Sequence, residues 1–207
     1  MGWRIRVVHS TGCRYDAPVH QSYNEVRLTP RTDSRQNVIV SRVETTPPTR
    51  LYRYTDYWGT AVTAFDLHAP HRELGVVATS VVETADAQTP VKTASWEDLA
   101  TDEVRDRQTE MLEFTAYVGR DKELAKVLLP KANAEVKQTV TGESHAWVEA
   151  WTGGWWGFDP TNLIEIGQRH VWVAGGRDYH DVPPLKGVYS GGTASALDVT
   201  VDMTRLA

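Results

Sequence analysis

A histidine and an aspartate separated by the length of a hairpin are the residues of this chain best suited to chemistry. His145 stands in Gly-Glu-Ser-His-Ala-Trp-Val-Glu-Ala-Trp at 142–151, and Asp159 in Trp-Trp-Gly-Phe-Asp-Pro-Thr-Asn at 155–162. A carboxylate bonded to one imidazole nitrogen fixes the tautomer and orientation of the ring. The other nitrogen can then take a proton from a thiol or give one to a leaving amine. The missing member of such a set is a nucleophile, and the sequence holds a single cysteine, Cys13, far away in the chain. The plain alternative is a half-buried strand histidine and an aspartate that merely forms the turn before Pro160.

The elements that must bring the pair together are legible as a hairpin. Positions 144–151 alternate His145, Trp147, Glu149 and Trp151 against Ala146, Val148 and Ala150, which is the period of a strand. Thr152, Gly153 and Gly154 read as a turn, and 155–159 as the returning strand. A three-residue loop sets Trp151 opposite Trp155 and Trp147 opposite Asp159, leaving His145 and Asp159 on one face within bonding distance. A two-residue loop shifts the register by one and turns Asp159 to the other face. Ser144 alternates away from the imidazole and offers no substitute nucleophile.

Residues 143–151 and 157–162 resemble the histidine and aspartate motifs of bacterial transglutaminase-like proteins, a family of cysteine-protease type. The resemblance extends to Tyr-Asp-Ala-Pro-Val at 15–19, Ser-Tyr-Asn-Glu-Val-Arg-Leu-Thr-Pro-Arg at 22–31, and Tyr-Thr-Asp-Tyr-Trp-Gly at 54–59. It also covers Pro-His-Arg-Glu-Leu at 70–74 and, in the tail, Val-Ala-Gly-Gly-Arg-Asp-Tyr at 173–179. It implies an α+β fold, with an amino-terminal β-rich domain at 1–85 and a papain-like core at 94–207. It implies His145 and Asp159 as the general-base pair of a thiol enzyme that acts on peptide or amide bonds of a protein substrate, without a cofactor. Between Pro130 and Gly142, where the family carries several tens of residues including a helix-borne Gly-x-Cys, this chain has eleven residues and no cysteine. The core is therefore expected to be truncated and the protein to be a pseudoenzyme, the alternative being a peptide-binding or scaffolding module built on the aromatic hairpin.

Cys13 is expected at a turn of the β-domain, beyond reach of His145, with only Arg14 to activate it. His68, His71, His170, His180 and Asp181 show no ligand spacing and are read as solvated, with no metal. Glu143 and Glu149 receive no role. The net charge of −5 argues against nucleic-acid binding. The absence of a long apolar run argues against a membrane span, and a first segment that begins at once with strand alternation is read as cytoplasmic. Strands are expected at 3–9, 22–30, 36–46, 50–57, 60–68 and 73–83. A polar linker at 84–93 follows, then helices at 98–115 and 123–129, and strands at 170–174, 185–189 and 196–204. Loss of a covering helix predicts an open, partly apolar sheet face and self-association into a homo-oligomer.

Overall fold

The computed structural model describes residues 2–86, 94–119 and 145–206. The expected helix at 123–129 and the stretch at 131–141 lie outside them. Five strands come first: β1 (Arg4–Thr29), β2 (Gln36–Thr46), β3 (Tyr52–Thr55), β4 (Ala61–Leu67) and β5 (His71–Thr84). Three short helices follow, α1 (Trp96–Leu99), α2 (Asp102–Arg107) and α3 (Thr109–Leu112). The chain ends in β6 (Val148–Trp151), β7 (Trp155–Asp159), β8 (Ile164–Glu165), β9 (Leu185–Gly191) and β10 (Ala194–Arg205). The fold is mostly β, a curled half-barrel sheet with a small second sheet, β6-β7-β8.

β1 is the spine of the half-barrel. Its first part lies between β5 and β10, and its second part between β4 and β9, all antiparallel. The change of partners occurs where the β5 register slips between Arg14 and Val19, around Pro18, which has no N–H to give a ladder. A second slip against β9, between Val19 and Gln21, reverses which parity faces inward. Tyr15 is buried on the odd phase, whereas Ser22, Asn24, Val26 and Leu28 are buried on the even phase. Such bulges raise the local twist and bend the strand, which curls the sheet around Val19, Val26, Phe65, Leu74 and Val76.

Cys13 is therefore not at a turn. It sits inside β1, paired with Leu74 of β5 on one side and Leu197 of β10 on the other. The pattern at 10–21 is obscured by Gly12 and Pro18, residues that usually punctuate loops; here Gly12 is paired in register on both sides and only Pro18 lies at a slip of the ladder.

The carboxy-terminal strands return to the first sheet, so a division at 94–207 separates β9 and β10 from the strand to which they are bonded. The helix expected over 98–115 is broken into three. Ser95 and Asp98 form a reciprocal cap on α1, and the Thr101 hydroxyl restarts the chain by capping α2. None of the helical residues is buried, so no packed face holds the pieces in one axis. Residues 170–174 are irregular rather than a strand. No helix among the described residues is long and apolar enough to cross a membrane.

Candidate functional site

The small sheet adopts the three-residue loop. Trp151 pairs with Trp155 and Val148 with Phe158, around a turn in which Gly153 takes φ +97°. Residues 145–147, expected to be part of the first hairpin strand, lead into it without pairing, and the His145 ring meets Asp159 with Nε2 to Oδ2 at 2.6 Å. The structure thus brings together the two residues singled out by their spacing. Gly157 permits the layer beneath: a Cβ there would lie 2.6 Å from Cγ1 of Ile166.

Asp159 is fully buried and every contact it makes is an acceptance. Oδ1 takes the backbone N–H of Thr161 at 2.9 Å and of Asn162 at 3.1 Å, so the side chain closes the turn that Pro160 begins. Oδ2 takes the Asn162 side-chain amide at 2.7 Å, His145 at 2.6 Å and His170 at 3.2 Å. Burial alone would raise the carboxyl pKa. The bonds from Asn162, His145 and His170 outweigh it and hold the group down at about 2. An ionised carboxylate can only accept, so Nε2 of His145 carries the proton, and any base chemistry of the ring would fall to Nδ1.

His170 escaped the sequence reading. It is not solvated: its side chain is 7% exposed and packs edge-on against Trp147, with ring centroids 5.6 Å apart. Its signal was weak because it lies on an irregular segment with no period. His71 is also buried, whereas His68 pairs at the surface with Asp66. Glu149, left without a role, accepts Arg35 Nη1 at 2.5 Å and so ties the hairpin to the half-barrel. Glu143 lies outside the described residues.

His145, Asp159 and His170 offer three ligand atoms within 4.8 Å of one another. The proton arrangement disfavours a metal there. The Gly167 N–H donates to Nδ1 of His170 at 3.2 Å, so the ring's proton is on Nε2, the nitrogen a cation would need bare.

A cavity of about 1000 Å³ opens beside the pair, bordered by His145, Trp147 and Trp155 of the hairpin region and by Cys13, Leu197 and Val199 of the half-barrel. Burial pushes the Cys13 thiol pKa up, away from the thiolate a nucleophile must supply. Trp155, Leu197 and Val199 are each about half exposed or more. We expect a hydrophobic dye to brighten on binding this cleft and sedimentation to shift with protein concentration. A compact monomer at all concentrations with no dye binding would count against an uncovered face.

Residues 5–83 match the bacterial transglutaminase-like N-terminal region. Over 99% of its length the chain is 42% identical to the uncharacterized protein ML0607 of Mycobacterium leprae, all of which is covered. The chain belongs to the bacterial transglutaminase-like family. The uncharacterized protein Rv2569c of Mycobacterium tuberculosis is 26% identical, with 97% of this chain and 92% of that protein covered. The alignment to ML0607 runs over 278 positions against the 207 residues of this chain, so at least 71 positions face gaps here. The fold is similar to a crystal structure from Cytophaga hutchinsonii described as a putative cysteine protease. The TM-score is 0.59 at 10% identity, covering 100% of this chain and 92% of that one.

Proposed function

We propose that this chain is a degenerate member of a family of thiol acyl-transfer and amide-hydrolysing enzymes, retaining the general-base pair His145–Asp159 on a truncated α+β core and lacking the nucleophile. The observation that carries the reading is the 2.6 Å bond from Nε2 of His145 to a carboxylate whose other oxygen is pinned by two backbone N–H groups. That geometry is what a histidine needs in order to deprotonate a thiol and then protonate a departing amine. In an intact relative the thiolate would attack a peptide or amide carbonyl and expel the amine. The acyl-enzyme would then be resolved by an amine or by water.

Cys13 does not complete the set, since its thiol is held protonated by burial within a strand bonded on both sides. The gaps against ML0607 fit the loss of a stretch of several tens of residues, which we place between Pro130 and Gly142. We expect amide hydrolysis and amine incorporation at the buffer rate for the chain as it stands, for Cys13→Ala and for His145→Ala alike. Turnover above background that Cys13→Ala abolishes would overturn the reading.

A second reading, a module that binds an extended peptide, is favoured by the cleft itself, whose rim carries Val148 and Trp155 about half exposed. Capture of defined peptide pools by the wild type, lost in Trp155→Ala, would support it.

A further inference from the structure

The dyad does not stand alone: Oδ2 of Asp159 also receives a second imidazole, that of His170, and that ring's protonation is dictated by the backbone. Gly167 N–H donates to Nδ1 of His170, which leaves the proton on Nε2, facing Oδ2 of Asp159 at 3.2 Å. We propose that His170 is a positioning residue for the His145–Asp159 pair, its backbone-fixed Nε2–H holding the carboxylate in the orientation that presents Oδ2 to His145. This deepens the reading of His145 and Asp159 as a base pair and rests on it.

Three further observations support a built arrangement. Oδ1 of Asp159 is held by the turn at 161–162, but two backbone bonds to one oxygen leave the carboxylate plane free to tilt about that oxygen. Two further donors to Oδ2, the Asn162 side-chain amide and His170, restrict that tilt. The His170 ring is itself packed edge-on against Trp147, two residues after His145, so one aromatic contact joins the segment bearing the base to the ring steadying its partner.

The segment bearing His170 is also delivered by the half-barrel. The Thr84 hydroxyl donates to the Gln168 carbonyl at 2.8 Å, and the Gln36 amide clamps both backbone groups of Trp172. Asp159 thus receives His145 from the segment that leads into the hairpin and His170 from a segment tied to the half-barrel. An outer-shell donor of this kind fixes the tautomer and orientation of the group that does the chemistry.

A mere packing role makes the opposite prediction for two substitutions. His170→Phe keeps a ring against Trp147 and loses the Nε2–H. His170→Gln loses the ring and keeps an N–H near the Nε2 position. Nitrogen-15 spectra of histidine side chains report which ring nitrogen carries the proton, and wild-type His145 and His170 should both give the Nε2–H signature.

In His170→Phe we expect His145 to lose its single-tautomer signature and show exchange between both forms, while His170→Gln retains it. An unchanged His145 in the Phe variant, or equal disturbance in both, would overturn the proposal. So would an Nδ1–H tautomer for His170 in the wild type, which requires no variant to fold. The spectra read ring protons rather than turnover, so an inactive chain leaves the proposal intact, and a displaced His145 in the wild type would instead sink the dyad reading beneath it.

Discussion

Replacing Asp159 with alanine is expected to destabilise the protein by about 3 kcal/mol or more, the usual cost of removing one partner from a buried, hydrogen-bonded charge arrangement. Five donors converge on this one buried carboxylate, from Thr161, Asn162 twice, His145 and His170. Alanine strands all of them, and the turn at 160–163, where Leu163 takes φ +57°, loses its closure. Asp159→Asn should recover little. Its oxygen can serve the two backbone N–H groups, but its amide then points N–H at three other donors. His145 could adapt by moving its proton to Nδ1. His170 could not, because Gly167 already donates there. Urea denaturation of the three proteins near pH 7 measures the ranking, wild type well above both variants. Near-equality of Asn with the wild type would mean that the charge contributes nothing.

The same carboxylate sets an acid limit. Its folded pKa is about 2 against an ordinary value of 3.8, a depressed group, so its stabilisation is fully present above the unfolded value and is lost as pH falls through the folded one. The shift corresponds to about 2 kcal/mol, with the loss confined to the window between about pH 4 and pH 2. Wild type and Asp159→Asn should therefore converge by that amount across the window. Parallel acid branches would show that Asp159 titrates alike folded and unfolded.

How much of this was legible follows from where the informative periodicities lie. Asp159 sits on the hairpin and His145 three residues before its first paired strand residue. The alternation and the glycine-rich turn thus brought the two near each other once the Trp151 to Trp155 pairing set the loop length, although the strand expected from 144 begins only at Val148. His170 was illegible for the converse reason. It lies on an irregular segment fixed by side chains such as Gln36 and Thr84, which come from strands more than eighty residues earlier. The half-barrel's strands were mostly visible through their β-branched runs. The continuity of β1 was not, because Gly12 and Pro18 look like loop residues, although Gly12 is paired on both sides and Pro18 falls at a register slip within the strand. The return of β9 and β10 to β1 is a long-range pairing that local pattern does not encode.

Gln36 offers the second large effect, far from the dyad in sequence. Its side chain is buried at 4% exposure, and its amide makes three bonds to backbone. Oε1 accepts the Trp172 N–H at 2.9 Å, while Nε2 donates to the Trp172 carbonyl at 2.7 Å and to the Arg31 carbonyl at 2.8 Å. Buried backbone groups stripped of partners cost about 1–3 kcal/mol each, so Gln36→Ala should lose about 3 kcal/mol. It should also loosen the segment that carries His170. Gln36→Glu separates polarity from packing. It is nearly isosteric, yet near pH 7 it sets a carboxylate oxygen against two carbonyl oxygens at hydrogen-bond distance, so it should be at least as damaging as alanine. Its folded pKa would be raised, the reverse of Asp159. The penalty is thus complete above that raised value and shrinks as pH falls toward the unfolded carboxyl value near 4.3, where the protonated acid can donate to one carbonyl again. Thermal melts of the three proteins at pH 7 and pH 5 test this. Gln36→Glu should regain stability relative to alanine at the lower pH, and a glutamate variant as stable as wild type at pH 7 would show that the clamp is not what seats the Trp172 segment on the half-barrel.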